Sequence, residues 1–339
     1  MEHPNPPTMC GMGKASRTKQ APDRRARVAA QREAARRAEQ RKRIYIAGGS
    51  ILAVVVVVLA FVLVKANSGG SPAGSASNGP TGAALTTLTK QVTTVPASVQ
   101  DQVGAGSIST SDFIPGSEIR AASAANAGYF ATVNGKALTS GGKPEVLYVG
   151  AEYCPYCGAQ RWPMIVALSR FGTFSGLKTI HSSSTDADPN TPTWSFYGSK
   201  YTSPYVTFTS VEETTNERQG NSSDTSKPYV TLQTPTAAQQ ALVNQYDPGA
   251  NGYGGAIPFI DMGNKYVEVG NMSPFGPTVI DGKSWSQIAA ALTQPNSAIA
   301  KGVLGSANYM TAGICKLTNN QPTSACTPAI QSLESRFAS

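Results

Sequence analysis

The chain has 339 residues, of which 40% are hydrophobic and only 14% are charged. That is enough apolar material for one large domain or two small ones and too much for a disordered chain, while charge this sparse argues against a cytosolic helical bundle. Two histidines exclude multi-histidine metal sites, and five cysteines are too few for a dense disulfide scaffold. The net charge of +8 resides in the first 43 residues, where 12 Lys and Arg face 4 Asp and Glu; beyond Arg43 there are 16 of each sign. The body of the chain has no basic excess, so nucleic acid is not expected among its partners.

Residues 1–43 form a basic tail, with Glu33–Arg37 and Glu39–Arg43 at helical spacing. It reads more simply as a flank that sets topology than as a helix lying on anionic headgroups. Residues 44–64 hold 21 residues without a charge, including consecutive valines at 54–58. At ~1.5 Å per residue this spans ~30 Å, the thickness of a hydrocarbon core. Arg41, Lys42 and Arg43 precede it and Lys65 alone follows, which orients the N-terminus to the cytoplasm. A cleaved signal peptide would have a shorter charged region and an apolar region of only ~7–15 residues. The expected arrangement is a single-pass anchor in the cell membrane, contacting lipid through residues 44–64, with the main domain extracytoplasmic.

Residues 65–84 are a Gly/Ser/Pro linker. Residues 85–128 are expected to be a helical extension, since Leu85, Leu88, Val92, Val95, Val99 and Val103 recur at helical steps, broken by Pro96. Asn134–Gly135, between β-prone residues 129–138, predicts a hairpin. Val146–Val149 reads as a doubly buried strand, followed at once by Cys154-Pro155-Tyr156-Cys157 and an amphipathic helix ending near Gly172. Residues 177–182 read as a second, parallel strand, 186–204 as an inserted segment and 205–211 as an extra strand. Thr234-Pro235 is expected to cap a helix to Tyr246. Residues 256–262 and 265–270 form a hairpin around Gly263-Asn264, and 284–292 a helix. The order implies an α/β fold, a mixed sheet with helices on both faces. Over residues 129–294 it resembles the thioredoxin fold. A helical hairpin at 295–339 closes the chain.

A CxxC where a strand meets a helix has a defined chemistry. The first sulfur caps the helix N-terminus, where unpaired N–H groups and the dipole favour its thiolate, and the second resolves the mixed disulfide. Cys154 is therefore the candidate nucleophile and Cys157 the resolving thiol, with Pro155 turning strand into helix. Other readings are weaker. Zinc held by Cys154, Cys157, Cys315 and Cys326 lacks the spacing of a structural knuckle. Copper would call on His181 and Met262, whose spacing is not diagnostic. A structural 154–157 disulfide closes too short a loop to gain much. No metal and no cofactor is expected.

Pro258 opens a predicted strand, an unusual place for proline. The thioredoxin resemblance implies that Pro258 is cis and faces the CxxC. Ile257 would then offer its backbone to an extended substrate, with Pro155 and Tyr156 on the same surface. Glu152 is a candidate proton shuttle, although a solvated loop carboxylate is the plainer reading. Thioredoxins often keep a buried acid six residues before the first cysteine; Tyr148 stands there. His181 reads as a strand histidine, and Trp162, Trp194 and Trp285 as packing residues. The wording Gly150-Ala-Glu-Tyr-Cys-Pro-Tyr-Cys157, then Arg161-Trp162, Leu168–Phe174, His181–Thr185, Asn264–Val267 and Trp285–Ala289, resembles a membrane-anchored thioredoxin-like family of actinobacterial and archaeal type. That family is catalogued as a domain of unknown function (DUF929). The resemblance spans about Leu85 to Cys326 and implies fold and location, without a substrate.

Cys315 and Cys326 fall at facing ends of the C-terminal helical hairpin and are expected to form a structural disulfide, or else a relay pair serving the CxxC. Cys10 is left in the tail. Two functions follow. One is a tethered thiol–disulfide oxidoreductase acting on protein thiols and disulfides, with a membrane redox partner as a further candidate. The other is a non-catalytic surface module that uses the same groove for a peptide or metal.

Overall fold

The computed structural model describes residues 78–108, 114–115, 129–221, 223–247, 255–270 and 275–337, all within the unit Pro72–Ser339. The basic tail with Cys10, the apolar span 44–64 and most of the linker lie outside the described residues. Among the described residues, no helix is long and apolar enough to cross a membrane.

Two helices come first, α1 (Gly82–Thr93) and α2 (Ala97–Val103), parted at Pro96, which lacks the N–H a continuing helix would use. The strands β1 (Ile114–Pro115), β2 (Ala131–Thr132), β3 (Thr139–Ser140) and β4 (Lys143–Gly150) lead to α3 (Pro155–Ser169). Short hairpin strands follow: β5 (Thr173–Ser175), β6 (Lys178–His181), β7 (Pro192–Ser195) and β8 (Lys200–Thr202). Then come β9 (Thr207–Glu212), β10 (Thr214–Arg218), β11 (Tyr229–Thr231), α4 (Ala237–Tyr246), β12 (Phe259–Met262) and β13 (Tyr266–Val269). The chain ends in α5 (Trp285–Ala291), α6 (Ala298–Leu317) and α7 (Pro328–Glu334).

The main sheet is mixed. Its order is β1-β2-β13-β12-β4-β3, with β9 parallel to β4. β4 is buried because Val146–Val149 pairs with β12 on one edge and β9 on the other. Its side chains alternate between two cores. Val146, Tyr148, Ile260 and Met262 join the larger core, built with α3, α6 and the N-terminal helices. Leu147, Val149, Phe259, Val267 and Val269 join the smaller one, closed by Val243 and Tyr246 of α4. Helices thus cover both faces, as the element order predicts. α6 packs close because glycine stands where a Cβ would collide: at Gly305 it would lie 2.7 Å from the Ala105 carbonyl oxygen.

Two expectations are corrected. Asn134–Gly135 is not a hairpin turn. β2 is two residues long and pairs with β1 and β13, and the chain beyond it lies on the β12–β13 turn, where Asn264 donates to the Lys136 carbonyl at 2.8 Å. The second parallel strand is β9, not residues 177–182. β6 pairs antiparallel with β7 outside the main sheet. The hairpin strands therefore lie within the crossover between β4 and β9, which a parallel pair requires. Smaller shifts are that α1 begins before Leu85, and that Thr236, not Thr234, caps α4 through a capping box with Gln239.

Candidate functional site

The end of β4 delivers the chain to α3 through Ala151–Tyr153, and Cys154 becomes the helix N-cap with Pro155 in the first turn. The geometry follows from the residue types: a cap needs an extended backbone and an acceptor side chain, and proline tolerates the first helical position. The Cys157 N–H donates to Cys154 Sγ at 3.2 Å. Cys154 is 6% exposed and Cys157 fully buried, and both are free thiols. Opposite them the Ile257–Pro258 bond is cis, and the Ile257 carbonyl oxygen accepts from the Cys154 thiol at 3.8 Å. Asp247 holds the approach to this loop, accepting from the N–H groups of Gly255 and Ala256 at 3.1 and 2.7 Å. Tyr156 is partly exposed beside Gly276.

The two sulfurs differ sharply. Burial alone would raise Cys154. Hydrogen bonds from the Cys157 thiol and N–H, the Arg161 charge and the Tyr156 N–H outweigh it, so its pKa falls below the ordinary thiol value. Cys157 goes the other way: burial, then the neighbouring Cys154 sulfur, raise it well above that value.

A charged pair lies beneath the sulfurs that sequence reasoning did not single out. Arg161, one turn beyond Cys157 on α3, is wholly buried and forks onto Glu212 at the end of β9, at 2.9 and 2.6 Å, with a further bond to the Ala151 carbonyl at 2.8 Å. The available signal was an arginine inside an otherwise apolar helix in a chain poor in charge. The only partner for it in a core is a carboxylate. Glu152 also corrects its reading: it is buried, not solvated, and accepts from Ser195 Oγ at 2.5 Å. The loop carrying it is covered by β7 and pinned by its own N–H donating to the Thr214 carbonyl. Tyr148 is buried under the site as well, packed on Phe196 with ring centroids 5.2 Å apart.

His181 is remote from this chemistry, half-buried against Trp285 at 4.5 Å, and burial lowers its pKa. Trp162 and Trp285 donate to the carbonyls of Pro192 and Thr193 at 3.0 and 2.8 Å, so they pack and anchor. Cys315, in the last turn of α6, is disulfide-bonded to Cys326, and both are buried. That bond removes them from any four-cysteine zinc set.

Fold and site together define a mixed α/β domain that carries a free, N-capping CxxC against a cis-proline loop. The family model described as a domain of unknown function (DUF929) matches residues 129–316, more than half of the chain, and the chain belongs to that family. Comparison with curated proteins and with solved structures brings no match.

Proposed function

We propose that this protein is a membrane-tethered, extracytoplasmic thiol–disulfide oxidoreductase with a thioredoxin-like fold, acting on protein thiols and disulfides. The observation that carries the reading is the asymmetry of the pair: a Cys154 sulfur at a helix N-cap with lowered pKa, beside a shielded Cys157 with raised pKa. Cys154 thiolate attacks a substrate disulfide and forms a mixed disulfide as one substrate thiolate leaves. Cys157 then attacks Cys154 Sγ, the second substrate sulfur departs, and the Cys154–Cys157 disulfide remains. The oxidising direction is the reverse. Ile257, ahead of cis-Pro258, presents its backbone carbonyl next to Cys154, which suits a substrate strand added by main-chain hydrogen bonds. The apolar span 44–64 behind a basic flank supports the anchor and the orientation.

The test is covalent trapping in membranes from cells expressing single-cysteine variants, read on non-reducing gels. Cys157→Ala leaves the mixed disulfide unresolved and should accumulate adducts. Cys154→Ala should give none. A folded Cys157→Ala chain with a free Cys154 and no adducts would move the protein from oxidoreductase to binding module.

A further inference from the structure

Two donors beneath the CxxC have no acceptor. The Tyr148 hydroxyl and Arg161 Nη1 are buried without a hydrogen-bond partner among the described residues. Leaving such donors unmatched in a core is costly, so what they await is informative. Tyr148 Oη belongs to the surroundings of Cys157, and Arg161 stands next to Tyr148. A Cβ placed on Gly150 would stand 2.2 Å from Tyr148 Oη and 3.1 Å from Cys157 Sγ, so hydroxyl and sulfur face the same glycine. The Arg161 guanidinium lies 5.8 Å from the Tyr148 ring centroid, and its charge acts on both sulfurs. The other titratable groups facing Cys157 are Cys154, across the first helical turn, and Tyr153. Glu212, from β9, is held by Arg161, and Glu152 lies near Glu212.

We propose that Tyr148 Oη, backed by the Arg161 charge, forms a thiolate hole that receives the negative charge of Cys157 as it resolves the mixed disulfide. The inference rests on the oxidoreductase reading and names how its second step is made to work. In that step the Cys157 thiol loses its proton and attacks Cys154 Sγ. The Cys154–substrate S–S bond breaks, and the departing substrate sulfur takes the electron pair and finally the proton. The new bond is Cys154–Cys157, so two electrons pass from the dithiol to the substrate disulfide. A donor already held beside the sulfur where charge develops needs little rearrangement at the moment of reaction. In the resting dithiol Tyr148 Oη bonds no acceptor, so it is free to turn to Cys157 Sγ when charge develops. Tyrosine at 148 thus takes the ground of the buried acid that the family resemblance leads one to expect, and acts by donating a hydrogen bond to the thiolate.

The full-length chain in detergent provides the test, with Cys157 titrated by its thiolate ultraviolet absorbance in a Cys154→Ser background. Tyr148→Phe should lower the Cys157 thiolate fraction at a given pH by about tenfold, the loss of one hydrogen bond to a charged group. Fluorotyrosine at 148, a stronger donor, should raise it, a change that a packing role would not produce. Arg161→Lys, which keeps the charge but loses the fork, should lower it. With both cysteines present, an aromatic disulfide reagent reports two releases, one as Cys154 attacks and one as Cys157 resolves. Tyr148→Phe should slow only the second. A Cys157 titration unmoved by either change at 148, or equal slowing of both releases, overturns the inference. A titration that moves as expected in a chain that traps no protein adducts upholds the thiolate hole and removes the oxidoreductase reading instead.

Discussion

Asp261 is an acid buried on β12, just before the turn to β13. Its carboxylate accepts the Asn264 N–H at 2.6 Å, and burial pushes its pKa up to about 7. The folded pKa is raised above that of the unfolded chain, so the stability it contributes is complete at low pH. It is lost as pH rises from about 4 through 7. On the order of 4 kcal/mol is at stake across that window, since each tenfold in proton affinity is worth ~1.4 kcal/mol. Urea unfolding of the wild type should weaken over this range, and Asp261→Asn should flatten the slope; an equal slope in both would remove Asp261 as its source. The Arg161–Glu212 pair obeys the same economy of burial, each charge made tolerable by the other. Cys154 and Cys157 were legible in the sequence because their spacing is local, and the place of Pro258 through the thioredoxin resemblance. Glu152 and Glu212 were not, because whether a carboxylate is buried depends on strands far off in sequence: Glu152 is covered by Ser195 and Glu212 reaches Arg161.

At the scale of elements, α6 and the segment before α7 are joined by Cys315–Cys326, closing a loop with a sequence separation of 11. Replacing both cysteines with alanine should cost about 3 kcal/mol, the usual effect of releasing a short loop, and leave disulfide exchange at the CxxC intact. Thermal unfolding and turnover of one preparation check both parts; lost turnover in a folded double variant would make the pair a relay. Helices α1, α2 and α3 were readable from apolar spacing, from Pro96 and from the cap at Cys154, and α6 and α7 as the C-terminal helical hairpin. Beyond the β12–β13 hairpin around Gly263-Asn264, strand pairing was not. Asn134–Gly135 has the residues of a hairpin turn, yet β2 takes its partner from β13. β6 and β9 are both short β-prone runs, and only the hairpin β6–β7 decides which of them reaches β4.

At the scale of the molecule, the CxxC helix is a shared wall. α3 packs against the sheet through Val146 and Tyr148 and belongs to one apolar core with α1, α6 and α7. A pair of thiols mounted this way is held rigidly, so its chemistry is set by fixed neighbours: the cap, the Ile257 carbonyl ahead of cis-Pro258, and the Arg161 charge. The central claim is that Cys154 and Cys157 interconvert between dithiol and disulfide as a working couple. The reduction potential of the full chain, equilibrated in glutathione buffers and read by thiol alkylation, tests this most directly. The account predicts a single two-electron couple between about −120 and −270 mV, the span of catalytic dithiols. A pair that stays oxidised to below about −300 mV, as structural disulfides do, or that forms no disulfide at all, would contradict it.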